Sequence, residues 1–389
     1  MSELKNIDKT YVANTYARFP VEILSGKGSL VYDENGKEYI DMGTGIGVTS
    51  FGICDDEWVS AVTAQLGKVQ HMSNLYYTEP CAYLAKMLCE KSGMKKVFFA
   101  NSGAEANEGA IKCARKWAAQ NKGAEYSTII TLINSFHGRT VTTLAATGQD
   151  HYHEEFQPLT PGFVYAEANN LDSVKKLVAE NKVAAVMFEC VQGEGGIIPL
   201  TQEFVKGLKE LADKENFLLI VDEVQTGNGR TGKMYAYQNF DIVPDIVSTA
   251  KGLGGGLPLG AVLFGEKTEN TYTFGDHGST FGGNPVCCAG AISIVNRIDE
   301  KLLNEVNAKS EYIFKAFENA EGVESVCGMG LMIGIKTKKP AGEIVSACRE
   351  KGVLCITAKD KVRLLPALNI PMDILEKAVN VILEACKEG

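Results

Sequence analysis

Between Val97 and Gly265 the chain alternates short, unbroken apolar runs with longer stretches whose apolar residues recur at helical spacing. The runs Val97–Ala100, Thr128–Ile133, Val183–Phe188, Phe217–Val221, Ile246–Thr249 and Ala261–Phe264 are of strand length and lack polar alternation. That pattern predicts strands buried on both faces. A helix is predicted from Ala104. Another is predicted from Thr201, a suitable N-cap, with Phe204, Val205, Leu208 and Leu211 on one face. Such alternation predicts an α/β chain built on a mainly parallel central sheet flanked by helices.

The two ends read differently. Leu30–Asp41 carries the turn Asp33-Glu34-Asn35-Gly36 between two apolar runs, which predicts a hairpin. After a helix predicted over Pro285–Arg297, the remaining chain mixes helices with strands around Leu331–Ile335 and Val362–Leu365. The expected organisation is a large domain over residues 51–290 and a smaller α+β domain over residues 291–389, with residues 1–50 contributing to the smaller one.

Composition narrows the class. Apolar residues at 45% and charged residues at 22% are those of a folded globular chain, and the net charge of −9 argues against a broad nucleic-acid footprint. Met1–Phe19 has no apolar core of a secretory signal, and no run approaches the ~20 residues that span a bilayer. The cysteines form no C-x-x-C pair, and Cys113, Cys190 and Cys348 sit in apolar stretches, which predicts reduced thiols in a cytoplasmic protein. His151 and His153 lack further ligands at metal spacing, so they read as a surface loop and no metal is expected.

The chemistry-bearing residues cluster where strands end, which is where open α/β sheets bind ligands. Asn101-Ser102-Gly103-Ala104 reads as a turn into a helix start, where free N–H groups suit a phosphate, although an ordinary capped helix has the same pattern. Asp222 ends an apolar strand and needs a partner, either a protonated ring nitrogen or a neighbouring Arg or Lys. Lys251 stands before Gly252-Leu253-Gly254-Gly255-Gly256, a turn that reads as flexible; it is placed either to meet a cofactor or as a solvated loop lysine. Gly227–Met234 matches G-x-x-x-x-G-K, but Met234 stands where a P-loop has Ser or Thr to hold magnesium.

Taken together, Asn101–Asn107, Phe136–Thr140, Glu189–Gly196, Asp222–Gly232 with Lys251, and Gly278–Pro285 resemble the class III aminotransferases of fold type I, most closely their acetylornithine branch. The likeness runs from Tyr16 to the C-terminal helix. It implies a fold type I transferase dependent on pyridoxal 5'-phosphate (PLP), acting as a homodimer with shared sites on a small-molecule amino donor and 2-oxoglutarate. By position it implies that Ser102, Gly103 and Ala104 hold the phosphate and that Phe136 stacks on the ring. It also implies that Asp222 pairs with the ring nitrogen, with Glu223, Val224 and Gln225 beside it. Lys251 would carry the cofactor and move the proton. Thr280 would reach the phosphate in the neighbouring subunit, Ser279 would lie beside the substrate, and Arg139 would bind a substrate carboxylate. Glu194 and Arg363 match the family's switch pair, which admits the α-carboxylate of glutamate; a static ion pair is the alternative.

The chain departs from its relatives at Gly52-Ile53-Cys54-Asp55-Asp56, where they carry Gly-His-x-His-Pro, although Asp55 still suits a helix cap. Ile46 and Gly47 stand where the resemblance places a tyrosine in ornithine aminotransferases. An open apolar position favours an acylated amine. N2-acetylornithine is therefore the expected donor, in the setting of arginine biosynthesis, ahead of ornithine, succinylornithine and 4-aminobutyrate.

Overall fold

A strand with no polar alternation offers no face to water, and the central strands are covered on both sides. Every residue of Val183–Phe188, Leu218–Asp222, Ile246–Thr249 and Gly260–Phe264 is buried. They belong to a seven-stranded sheet in the order Lys96–Ala100, Gly260–Phe264, Ile246–Thr249, Leu218–Asp222, Val183–Phe188, Thr128–Leu132, Phe163–Ala166. The computed structural model describes residues 2–387. Pairing is parallel except at Gly260–Phe264, which runs antiparallel to both neighbours. The edge strand Phe163–Ala166 was not expected from the sequence; its first residues are only half-buried, so no unbroken core run marks it.

Period-two alternation divides each strand between two helical layers. Leu218 and Ile220 face the helix Gly103–Asn121 through Ala110, Ile111, Ala114 and Trp117. Leu219 and Val221 face the opposite layer, where the helix Gln202–Glu215 buries Phe204, Val205 and Leu208. Thr201 caps that helix by accepting from Phe204 N–H.

The expected hairpin is present as Leu30–Asp33 and Glu38–Asp41, its turn held by Asp33 Oδ1 accepting from Asn35 and Lys37 N–H at 2.9 Å each. Glu38–Asp41 also pairs in parallel with Val353–Leu354, so one small sheet joins the two ends of the chain. A further sheet contains Val323–Met329, Met332–Thr337, Lys361–Leu364 and Ile356–Ala358. Met1, Glu388 and Gly389 of the expected domains lie outside the described residues.

Several sequence readings need correction. His153 is not on a surface loop: it is buried, with Nε2 2.9 Å from the Leu144 carbonyl. The glycines after Lys251 are there for close packing rather than flexibility. A Cβ on Gly254 would lie 2.1 Å from Leu257 O, and one on Gly255 would lie 2.2 Å from Ile294 Cδ1. The P-loop-like segment is buried except at Lys233 and runs into the short 3-10 turn Ala236–Phe240, not the long helix a phosphate cradle needs. The departure at Asp55 is accommodated: it caps the helix Asp56–Leu66 and accepts both ends of the Arg297 guanidinium at 2.7 and 3.0 Å.

Candidate active site

The parallel strands Val183–Phe188, Leu218–Asp222 and Ile246–Thr249 bring their carboxyl ends to one edge, and with them Glu189, Asp222 and Lys251. Asp222 is buried. Its Oδ2 accepts from Asn107 Nδ2 at 2.7 Å and lies 2.8 Å from His137 Nδ1, while Oδ1 accepts from Val224 N–H at 3.0 Å. No Arg or Lys pairs with it among the described residues, so the salt-bridge alternative fails. Asn107 and His137 both lie in segments the sequence marked, yet nothing in the sequence joins either of them to Asp222.

Lys251 adopts φ 45°, a left-handed conformation uncommon outside glycine. It is half-buried, and its amine makes no hydrogen bond or salt bridge among the described residues. Burial lowers its pKa; Arg363 adds to this, while Glu194, Asp222 and Glu189 oppose it. The turn is pinned from below, since a Cβ on Gly252 would lie 2.5 Å from Ser50 Oγ. The chain just before Ser50 makes a left-handed turn in which Thr44, Gly45, Ile46 and Gly47 all have positive φ. This turn packs on Lys251–Leu253 and leaves Ile46 exposed beside it.

On one wall Arg363 Nη1 donates to Glu194 Oε1 at 2.6 Å and to Gln225 Oε1 at 3.3 Å, and Nη2 donates to Glu194 Oε2 at 3.4 Å. Burial acts to raise the Glu194 pKa, but the charge and hydrogen bonds of Arg363, together with Lys251 and Gln225, hold the carboxyl below its ordinary value. Glu189 accepts from Phe136 N–H at 2.9 Å and Gly193 N–H at 3.0 Å, tying two site loops together; burial pushes it up to about 7. The sequence reading gave Glu189 no role.

The helix Gly103–Asn121 starts with Ser102 as its cap, accepting from Glu105 N–H. The N–H groups of Gly103 and Ala104 have no acceptor among the described residues. Gly103 is glycine because a Cβ there would lie 2.6 Å from Val224 Cγ1. Ala104 packs under Gly138, where a Cβ would lie 2.9 Å from its own. Glu223 is a correction. Alternation turns its side chain away from Asp222, and it is spent on Tyr237 N–H at 2.9 Å and Thr226 Oγ1 at 2.6 Å.

The remaining expected residues lie outside this cluster. Arg139 is exposed over the rings of Tyr152 and Phe136, at 4.8 and 5.6 Å, with no salt bridge among the described residues. Ser279 Oγ accepts from Asn101 Nδ2 at 3.1 Å. Thr280 is exposed on a separate surface cavity of about 330 Å³ that also meets Asn101, Glu108 and His277.

Such a site, at the strand ends of a fold type I α/β chain, is that of a transaminase, and the chain belongs to the class III aminotransferase family, whose model matches residues 11–386. It is 49% identical to the acetylornithine aminotransferase of Haemophilus ducreyi over 99% of both chains. It is 43% identical to that of Methanocaldococcus jannaschii over 98% of both. Among solved structures, ornithine aminotransferase from Toxoplasma gondii ME49 superimposes with a TM-score of 0.95 at 30% identity, covering 98% of this chain and 94% of that one. N-acetylornithine aminotransferase from Stenotrophomonas maltophilia K279a gives 0.85 at 34%, covering 98% and 97%.

The family depends on PLP. The residues present fit that cofactor: two free N–H groups at the start of a long helix suit its phosphate, buried Asp222 suits a protonated ring nitrogen, and the Lys251 amine has no competing partner.

Proposed function

We propose that this chain transfers the terminal amino group of N2-acetyl-L-ornithine to 2-oxoglutarate, giving N-acetyl-L-glutamate 5-semialdehyde and L-glutamate, in arginine biosynthesis. The observation that carries this reading is end-to-end similarity to acetylornithine aminotransferases from bacteria and archaea at 42–49% identity. Exposed apolar Ile46, in the turn set against Lys251–Leu253, supports an acylated donor over one with a second free ammonium, whereas Gly47, expected to be open, is buried against Leu365.

In this reading Gly103, Ala104 and Ser102 hold the cofactor phosphate, Phe136 and Val224 flank the ring, and Asp222 keeps its nitrogen protonated. The bound cofactor supplies the electron sink. Lys251 Nζ takes the proton from the amine-bearing carbon, and its lowered pKa favours a neutral base. With donor bound, Glu194 neutralises Arg363 and Arg139 takes the distal α-carboxylate. With glutamate or 2-oxoglutarate bound, Glu194 moves aside and Arg363 takes the α-carboxylate.

The reading includes a homodimer. Exposed Leu75, Tyr76 and Tyr77 adjoin Phe281 and Thr280 through Asn74, whose Nδ2 donates to Ser279 and Gly282 carbonyls at 3.0 and 2.8 Å. An apolar surface of this kind calls for a second copy, which would bring Thr280 to the partner's phosphate. Residues 51–290 would form the cofactor-carrying domain, and 1–50 with 291–389 the smaller one. A cytoplasmic setting suits eleven free cysteines.

Steady-state kcat/KM for acetylornithine, ornithine, succinylornithine and 4-aminobutyrate, each with 2-oxoglutarate, tests the reading. Acetylornithine is expected to lead; preference for ornithine would replace it with the activity named for the Toxoplasma structure.

A further inference from the structure

Arg230, in the loop that follows Asp222, is 2% exposed and makes no salt bridge among the described residues. Its Nη1 donates to the carbonyls of Leu331 at 3.2 Å and Pro366 at 2.5 Å, and its Nη2 is buried without a partner. Its own carbonyl accepts from Leu331 N–H at 2.9 Å. Burial lowers its pKa to about 10, which leaves it charged at neutral pH. A buried guanidinium without a counter-charge is costly, so its position calls for a reason.

The strand register supplies one. Met332–Thr337 pairs antiparallel with Lys361–Leu364, Gly334 opposite Arg363 and Ile333 opposite Leu364. The pairing ends there: Leu331 lies in the tight turn between Met329 and Met332, its N–H taken by Arg230 O, and Leu365 N–H donates to Met42 O at 2.7 Å. Pro366 has no N–H to offer across the gap, and Arg230 Nη1, by donating to both carbonyls, ties the two segments together beyond the last ladder pair. The same loop carries Gln225, which accepts from Arg363 at 3.3 Å. Beyond Pro366 the segment is tied elsewhere, with Leu368 N–H donating to Ser50 O and Lys309 Nζ donating to Leu368 O, both at 2.8 Å.

We propose that Arg230 is a positioning residue for the glutamate half-reaction: by tying Leu331 to Pro366 just past the end of the ladder it fixes Arg363, relative to the Asp222–Gln225 loop, where a substrate α-carboxylate binds. The inference rests on the reading of Arg363 given above. A merely structural role would weaken every activity together.

The test uses cofactor-loaded enzyme and glutarate, which carries both carboxylates of 2-oxoglutarate but cannot react. Glutarate binding is read by calorimetry alongside the KM for acetylornithine. Arg230→Met is expected to weaken glutarate about tenfold with the donor KM nearly unchanged. Arg230→Lys, which keeps a charged donor for the two carbonyls, should hold binding within about threefold of the parent. Equal losses for donor and glutarate, or a loss in Arg230→Lys as large as in Arg230→Met, would overturn the proposal. If Arg230→Met does not fold, Arg230→Lys takes its place: glutarate binding near the parent's supports the proposal, whereas weak binding or an unfolded chain overturns it. Arg363→Ala is the control. Glutarate lost there but kept in Arg230→Met overturns the role of Arg230 alone; glutarate kept in Arg363→Ala overturns the reading of Arg363 and this inference with it.

Discussion

Replacing Glu194 by Ala removes the carboxylate that occupies Arg363 at 2.6 Å. The Arg363 side chain is 4% exposed and that of Glu194 is 26% exposed, so the pair lies between a solvated surface ion pair and a fully buried one. The first is worth about 0–1 kcal/mol and breaking the second costs about 3–5 kcal/mol, which places opening of this pair at about 1.5–2 kcal/mol. Every 1.4 kcal/mol is about tenfold, so the α-carboxylate of glutamate meets an obstacle of about ten- to thirtyfold while Glu194 is in place. Glu194→Ala removes that obstacle. It also leaves Arg363 uncovered when acetylornithine binds, where it competes with Arg139 for the donor's carboxylate. Single-turnover rates of the two half-reactions, measured separately at subsaturating substrate, should shift by at least about tenfold in favour of glutamate. Equal proportional losses in both halves would refute the switch and leave Glu194 as a static partner of Arg363.

Asp222→Asn keeps the shape and an acceptor for Asn107 or His137 but removes the charge. Cofactor should still bind, while the half-reaction rate at saturating donor falls by at least about a hundredfold; an unchanged rate would contradict the role of Asp222. Burial pushes Glu223 from 4.5 up to about 7, so the folded state holds an extra proton across that window. Its contribution is therefore fully present below pH 4.5 and is lost as pH rises through about 7, by about 3 kcal/mol. Glu223→Gln should flatten the fall in thermal midpoint between about pH 5.5 and 8, and an unchanged slope would count against this assignment. If the sites are shared, mixing Lys251→Ala with Thr280→Ala chains should restore about one competent site per verified heterodimer, and no recovery would argue against sharing.

Most of the central sheet was legible because parallel strands buried on both faces must be continuous apolar runs, as in Val183–Phe188 and Ile246–Thr249. The edge strand Phe163–Ala166 has one neighbour and half-exposed residues, so it lacks that signature. The motifs from Asn101 to Lys251 located the site because each follows a strand end, whereas Gly278–Pro285 does not, and contacts between motifs were not legible. Asp222 Oδ2 meets both Asn107 and His137, and the choice of these over an Arg or Lys depends on a helix and a loop arriving from far along the chain. The Gly254-Gly255 pair reads in one dimension as freedom, whereas in three dimensions Leu257, Ile294 and Trp58 fill the space a side chain would need. Glu223 illustrates a limit of adjacency: it neighbours Asp222 in sequence, yet strand alternation sends it to Tyr237 and Thr226.

The account centres on Lys251 as the residue that carries the cofactor, and borohydride reduction of the loaded enzyme followed by peptide mass mapping tests it most directly. The expected result is cofactor mass fixed on the peptide containing Lys251, absent in Lys251→Ala together with nearly all amino transfer. Cofactor fixed on another lysine, or full turnover in Lys251→Ala, would contradict it.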